Sequence, residues 1–192
     1  MNSSRNQDLI MAIYSDIRSV FTLNDIAMLV CESNFNSLSW RLNYYVRKGK
    51  LFSPRKGIYV KEGYNPQELA CSLYIPSYIS LEYVLQKAGV VFQYDQRLTI
   101  VSYLSRTIEI ENNIYCYRKI KGETLIATQG IDRRGNINIA TPERAFLDLL
   151  YLNKKQYLDN LGTLNKKIIY KLLPIYNSKL LLERAKKILQ ND

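Results

Sequence analysis

The sequence predicts an α+β protein of two domains, a small helical one closed by a basic β-ribbon and a larger mixed α/β one. Three observations carry this. Residues 38–46 place Leu38, Leu42, Tyr45 and Val46 on one arc of a helix, with cations, amides and rings on the other. Beyond Gly63 and Pro66 the pattern changes to short segments dense in Ile, Val, Thr and Tyr. The apolar content of 47% in 192 residues is enough for a buried core.

Taken in order, Leu9, Ile10, Ile13, Ile17 and Val20 recur at helical spacing, so a first helix is expected from about Gln7 to Phe21. Thr22 with Asp25 three residues later forms a capping box, because each side chain meets a backbone N–H of the other. Leu23, Ile26, Ala27 and Val30 supply the buried side of that second helix. Residues 31–36 read as a turn, and Asn36 or Ser37 caps the third helix, which ends at Gly49. Leu51-Phe52 and Ile58-Tyr59-Val60 make two strands, with residues 53–57 closing them. Three helices followed by such a ribbon are the order of a winged helix-turn-helix, here residues 1–63.

The second domain, residues 64–192, is expected to open with a helix at Pro66 to Leu73. A further helix at Leu81 to Lys87 is capped by Ser80 and ended by Gly89. Strands follow at Leu98 to Leu104, Thr107 to Glu111 and Ile114 to Lys119, with a hairpin turn at Asn112-Asn113. Another turn at 132–136 leads to a strand at Ile137 to Ala140. Thr141-Pro142-Glu143 then starts an apolar helix. From Gln156 the tail reads as three short helices, with Pro174 between the last two.

Composition narrows the chemistry. The chain has no histidine, which excludes histidine triads, histidine-ligated metals and a histidine general base. Cys31, Cys71 and Cys116 are odd in number and lie far apart, as expected of reduced, buried thiols in a cytoplasmic protein. The start lacks a secretory pattern, and no apolar run is long enough for a membrane span. No cofactor or metal is expected. Net charge is +10. Residues 1–64 hold nine Lys/Arg against five Asp/Glu, residues 65–152 nine against nine, and residues 153–192 nine against three. Basic ends favour polyanionic partners such as nucleic acid or an acidic protein surface.

The third helix and its ribbon concentrate that charge. Ser37, Trp40, Asn43 and Tyr44 are expected to approach base edges of a DNA duplex, while Arg41, Arg47, Lys48, Arg55 and Lys56 hold phosphates. Trp40 on an outward face is costly to leave in water, so it stacks on a sugar or base methyl, or packs on the second domain. The bland alternative is a solvated helix beside a structural hairpin. Arg133 and Arg134 within 132–136 read first as an exposed turn, and only second as a phosphate cradle. Glu143, Arg144 and Asp148 suit buried ion pairing better than acid catalysis. The last helix, Lys179 to Gln190, sets Leu181, Leu182, Ala185, Ile188 and Leu189 against a basic face of Lys179, Arg184, Lys186 and Lys187, which suits phosphates, an acidic partner or plain solvent.

Three segments together resemble the AbiEi family of bacterial antitoxins and transcriptional regulators. They are residues 46–51 with 56–60, residues 78–85 with 88–90, and Ala140-Thr141-Pro142-Glu143-Arg144-Ala145-Phe146-Leu147-Asp148-Leu149-Leu150. The resemblance spans about residues 6 to 152. It implies a repressor of its own toxin–antitoxin operon, with the winged helix on promoter repeats. It also implies a second domain that counteracts a nucleotidyltransferase-like toxin encoded alongside, and a role in phage defence; it assigns no catalytic residues. Two rivals stand beside it: a protein-interaction module that grips an acidic partner without specific DNA binding, and a metal-dependent nucleic-acid enzyme built on Glu143, Asp148 or Asp132.

Overall fold

The first helix stops sooner than its apolar spacing suggests. A computed structural model describes the backbone of residues 2–153 and 157–190, and side chains from Asp8 onward within those ranges. In it α1 spans Asn2–Ser15, and Val20–Thr22 forms a strand, β1. Between them the Asp16 carboxylate accepts from both the backbone N–H and the guanidinium of Arg18, at 2.9 and 2.7 Å. That local bond competes with helix continuation and turns the chain. Val20 and Phe21 are buried as strand residues, and Ile17, expected in the core, is 99% exposed at the bend.

Arg18 donating to Asp16 holds that carboxyl below its ordinary value of 3.8. A folded-state value under the unfolded one gives stability that is present above pH 4 and lost as pH falls through the carboxylate range. Acid titration of Asp16→Asn, followed by circular dichroism, is expected to show a shallower loss below about pH 4 than the parent shows.

The chain is mixed α+β, and its contacts divide it into two units, Met1–Leu73 and Tyr74–Asp192. In the first, α2 (Leu23–Leu29) follows β1 directly, and α3 (Phe35–Arg47) leads to β2 (Phe52–Arg55) and β3 (Ile58–Val60). The strands make an antiparallel sheet of order β1-β3-β2, with Val20 opposite Val60 and Phe52 also opposite Val60. Its core is Leu9, Ile13, Phe21, Ile26, Leu38, Leu42, Leu51 and Tyr59, all close to fully buried. The capping box is present: Thr22 N–H donates to Asp25 at 2.7 Å, and Asp25 N–H to the Thr22 hydroxyl at 3.1 Å. Thr22→Ala is expected to cost about 0.5–2 kcal/mol in urea unfolding.

The division falls after Leu73, whereas Gly63 and Pro66 suggested one after residue 63. The helix α4 (Pro66–Leu73) belongs with the first unit for an electrostatic reason. Its Glu68 carboxylate accepts from Ser19 N–H at 2.7 Å, the Ser19 hydroxyl at 2.5 Å and Val20 N–H at 3.2 Å. These are the otherwise unpaired donors at the start of β1.

The second unit is built on a six-stranded sheet. Its strands are β4 (Ser77–Ile79), β5 (Leu98–Ser102), β6 (Arg106–Ile110), β7 (Asn113–Lys119), β8 (Ile131–Arg134) and β9 (Ile137–Ala140). Their order is β6-β7-β5-β4-β9-β8, with β5–β7 and β4–β9 parallel and the remaining pairs antiparallel. The expected hairpin forms with Ile110 opposite Asn113, so its turn is Glu111-Asn112 and not Asn112-Asn113. The short helix α5 (Glu82–Lys87) has Leu81, at φ +61°, as its N-cap, with no side-chain cap bond. Ser80, expected there, donates its hydroxyl to Asp148 instead.

After α6 (Gly122–Ile126), α7 (Pro142–Leu152) runs buried from Glu143 to Leu150. Thr141 caps it by accepting from Arg144 N–H, as the sequence suggests. The tail provides α8 (Lys166–Leu172), a 3-10 turn (Leu173–Tyr176) that contains Pro174, and α9 (Lys179–Gln190). The expected tail start at Gln156 lies outside the described residues. On α9, Leu181, Ala185 and Leu189 are buried, whereas Leu182 stays exposed.

Arg144 and Asp148, one helical turn apart on α7, form a fully buried ion pair, Nε to Oδ1 at 3.3 Å. The guanidinium also donates to the carbonyls of Thr124 and Gln129, at 2.7 and 3.1 Å, and to the Tyr78 hydroxyl at 3.0 Å. Its central carbon lies over the rings of Tyr78 and Tyr176, 5.4 and 5.2 Å from their centres. Asp148 accepts in addition from Tyr176 at 2.6 Å, Ser80 at 2.8 Å and Tyr78 at 3.2 Å. Burial pushes its carboxyl up, and the four donors oppose that shift by favouring the ionised form.

Candidate nucleic-acid interface

Helix α3 sorts its side chains as the periodicity requires. Leu38, Leu42 and Tyr45 are buried, and Asn36, Ser37, Trp40, Asn43, Tyr44 and Arg47 are exposed. The N-cap is Asn34, not Asn36 or Ser37. Its side-chain oxygen accepts from Ser37 N–H at 3.0 Å, and its own N–H donates to Glu32 at 3.0 Å. The helix therefore begins at Phe35, earlier than expected, and Asn36 lies within its first turn. At the other end Gly49, at φ +67°, allows a left-handed residue. Gly49 N–H reaches Val46 O at 3.0 Å, and Lys50 N–H reaches Tyr45 O at 2.9 Å. That reversal leads into β2.

The outward face combines bulk with charge. Trp40 is 73% exposed and Tyr44 45%. Lys48 stands over the Tyr44 ring at 5.8 Å, and the Tyr44 ring meets Tyr45 edge-on at 5.5 Å. Such a ring is held in place from two sides while still open to solvent. Arg47, Lys48, Lys50 and Lys56 are all exposed.

The ribbon turns tightly at Lys56-Gly57, with Gly57 at φ +82° and Arg55 opposite Ile58. Pro54 has no N–H to give to the ladder, and the register shifts between Phe52 and Arg55. The Ser53 hydroxyl spans this irregularity, within reach of Ile58 O at 3.0 Å and Arg55 O at 3.2 Å.

Two of the cations expected on phosphates already have partners within this unit. Arg41 lies 3.6 Å from Glu32, and its side chain is 20% exposed. Its place beside Tyr45, at the edge of the buried stripe, turns it toward the carboxylate and away from the outer arc. Arg55 donates to the Leu73 carbonyl at the end of α4, at 3.4 Å. The structure thus brings Ser37, Trp40, Asn43, Tyr44, Arg47 and Lys48 together along α3 and its C-cap, with Lys56 at the ribbon tip; Arg41 is half-buried against Glu32, and Arg55 stays exposed while donating to the Leu73 carbonyl.

No protein-family model matches the chain, and no curated protein does either. Among solved structures, it is similar to the crystal structure of the RV2827C protein from Mycobacterium tuberculosis. That likeness has 13% identity and a TM-score of 0.55, and it covers 97% of this chain and 76% of the other. At such identity the likeness is one of fold.

The other candidates differ in accessibility. Arg144 and Asp148 have no exposed surface, and Glu143 accepts from Asn165 N–H at 3.2 Å. No substrate can touch the Arg144–Asp148 pair without unpacking α7. Arg133 and Arg134 sit on an exposed hairpin, where Arg134 is 3.9 Å from Asp132 and Arg133 donates to Gly135 O. Among the described residues no group of three or more acidic or cysteine side chains is placed to hold a metal. Among the same residues no helix is long and apolar enough to cross a membrane.

Proposed function

We propose that the chain is a cytoplasmic, non-enzymatic DNA-binding regulator whose first unit acts as a winged helix-turn-helix. The observation that carries this reading is α3: one face is closed into the core, and the opposite face offers unburied Trp40, Asn43, Tyr44 and Arg47. Helix α3 would lie in the major groove, whose base pairs present distinct donor and acceptor patterns. Lys56 at the ribbon tip would reach an adjacent phosphate, as would Lys48. Arg41 and Arg55 would act one step removed, by holding α3 and the ribbon to Glu32 and α4. In keeping with the AbiEi resemblance, the operon repressed would be its own, and the second unit would counteract a nucleotidyltransferase-like toxin from the neighbouring reading frame.

The test is an anisotropy titration of the full chain against its own upstream DNA and against random duplex, at several salt concentrations. Binding to the upstream DNA is expected to be tighter on the order of a thousandfold, with affinity falling steeply as salt rises. Equal affinity for both duplexes overturns the regulator reading and favours a module for an acidic protein partner. Rescue of growth on co-expression with the neighbouring protein tests the antitoxin part separately.

A further inference from the structure

Because Asn34 takes the capping role, the amide of Asn36 is left on the outer surface of α3. Asn36 and Asn43 are seven residues apart, close to two full turns, so they stand on one line along the helix. Both are exposed, and neither has a partner among the described residues. Trp40 lies between them on the same arc, and Arg47 continues the line one turn beyond Asn43.

We infer that Asn36 is a second base-reading residue, which together with Asn43 selects adenine at two positions of the bound site. This rests on the regulator reading above and adds its specificity. An asparagine amide matches adenine in the major groove, donating to N7 and accepting from the N6 amino group. No other base presents that acceptor–donor pair on its groove edge. Two turns of helix rise by roughly 10 Å, which is about three base-pair steps of DNA. The two adenines are therefore expected about three base pairs apart, with the residue between them, Trp40, free to meet a thymine methyl. Asn36 is also at the N-terminal end of α3, the end that approaches base edges most closely in helix-turn-helix docking. Asn34, two residues earlier, cannot take this role because its side-chain oxygen is engaged with Ser37 N–H.

The test is selection of binding sites from a random duplex library with the full chain, with Asn36→Ala and with Asn43→Ala. Neither amide caps the helix or enters the core, so both variants should melt with the parent. The parent is expected to enrich a site with two A·T pairs about three positions apart. Asn36→Ala should lose the preference at one of them, and Asn43→Ala at the other. As a chemical check, 7-deazaadenine at the Asn36 position removes the N7 acceptor. It should weaken parent binding on the order of tenfold while leaving Asn36→Ala unaffected. Enrichment by the parent with an unchanged consensus for Asn36→Ala overturns this inference and leaves the regulator reading standing. No enrichment by the parent overturns the regulator reading itself, and this inference falls with it.

Discussion

Asp148→Ala is expected to lower the stability of the chain by about 3–5 kcal/mol, read from urea unfolding, and to leave a folded population only if the parent has that margin. The size follows from what remains. With the carboxylate gone, the Arg144 guanidinium stays sealed among Tyr78, Tyr176 and two carbonyls, with its charge uncompensated. The hydroxyls of Tyr176 and Ser80 lose their acceptor at the same time. A buried charge without its counterion is far costlier than an absent apolar neighbour. The double variant Arg144→Met/Asp148→Leu removes both charges and is expected to regain much of the loss. If Asp148→Ala unfolds within about 1 kcal/mol of the parent, the pair does not hold the second unit together as described.

The second large effect concerns binding. Replacing Arg47, Lys48 and Lys56 together with alanine is expected to weaken DNA binding on the order of a hundredfold, equally for upstream and random duplex. The slope of log affinity against log salt should flatten by about three units, one for each phosphate that is no longer neutralised. Arg47→Ala alone should flatten it by about one. Asn43→Ala should act differently: the slope is kept, and the ranking among sequences changes. All four residues are exposed and outside the core, so melting curves serve as the control for folding. An unchanged slope in the triple variant sinks the assignment of phosphate binding to α3 and the ribbon.

The sequence was most legible where one signal dominated. The buried stripe of α3, the Thr22–Asp25 box, the Gly49 reversal, Pro66–Leu73 and Thr141 at the start of α7 follow from spacing and cap chemistry alone. Failures came where local signals competed. Ile17 and Val20 fit a helical period, but the Asp16–Arg18 bond and the pairing of Val20 with Val60 end α1 early. The sequence suggests Asn36 or Ser37 as the cap of α3, yet Asn34, close beside them, takes that place. The choice among them depends on Glu32 accepting from Asn34 N–H, which no periodicity reveals. β4 and α6, of three and five residues, went unread because such short elements are made by their neighbours. β4 is a strand because β5 and β9 flank it. The partners of Arg41 and Arg55 were invisible for the same reason: Glu32 and Leu73 are brought to them by the fold.

The bond network around Glu68 decides where the chain can be cut. A fragment ending at residue 63 retains every residue of the basic face but deletes the carboxylate that receives Ser19 and Val20. It also strips the Leu73 carbonyl from Arg55. Such a piece should fray at its outer strand and bind poorly for reasons unrelated to recognition. One carried through Leu73 keeps the strand anchored, and is the shorter form in which the first unit's behaviour toward DNA can be judged fairly.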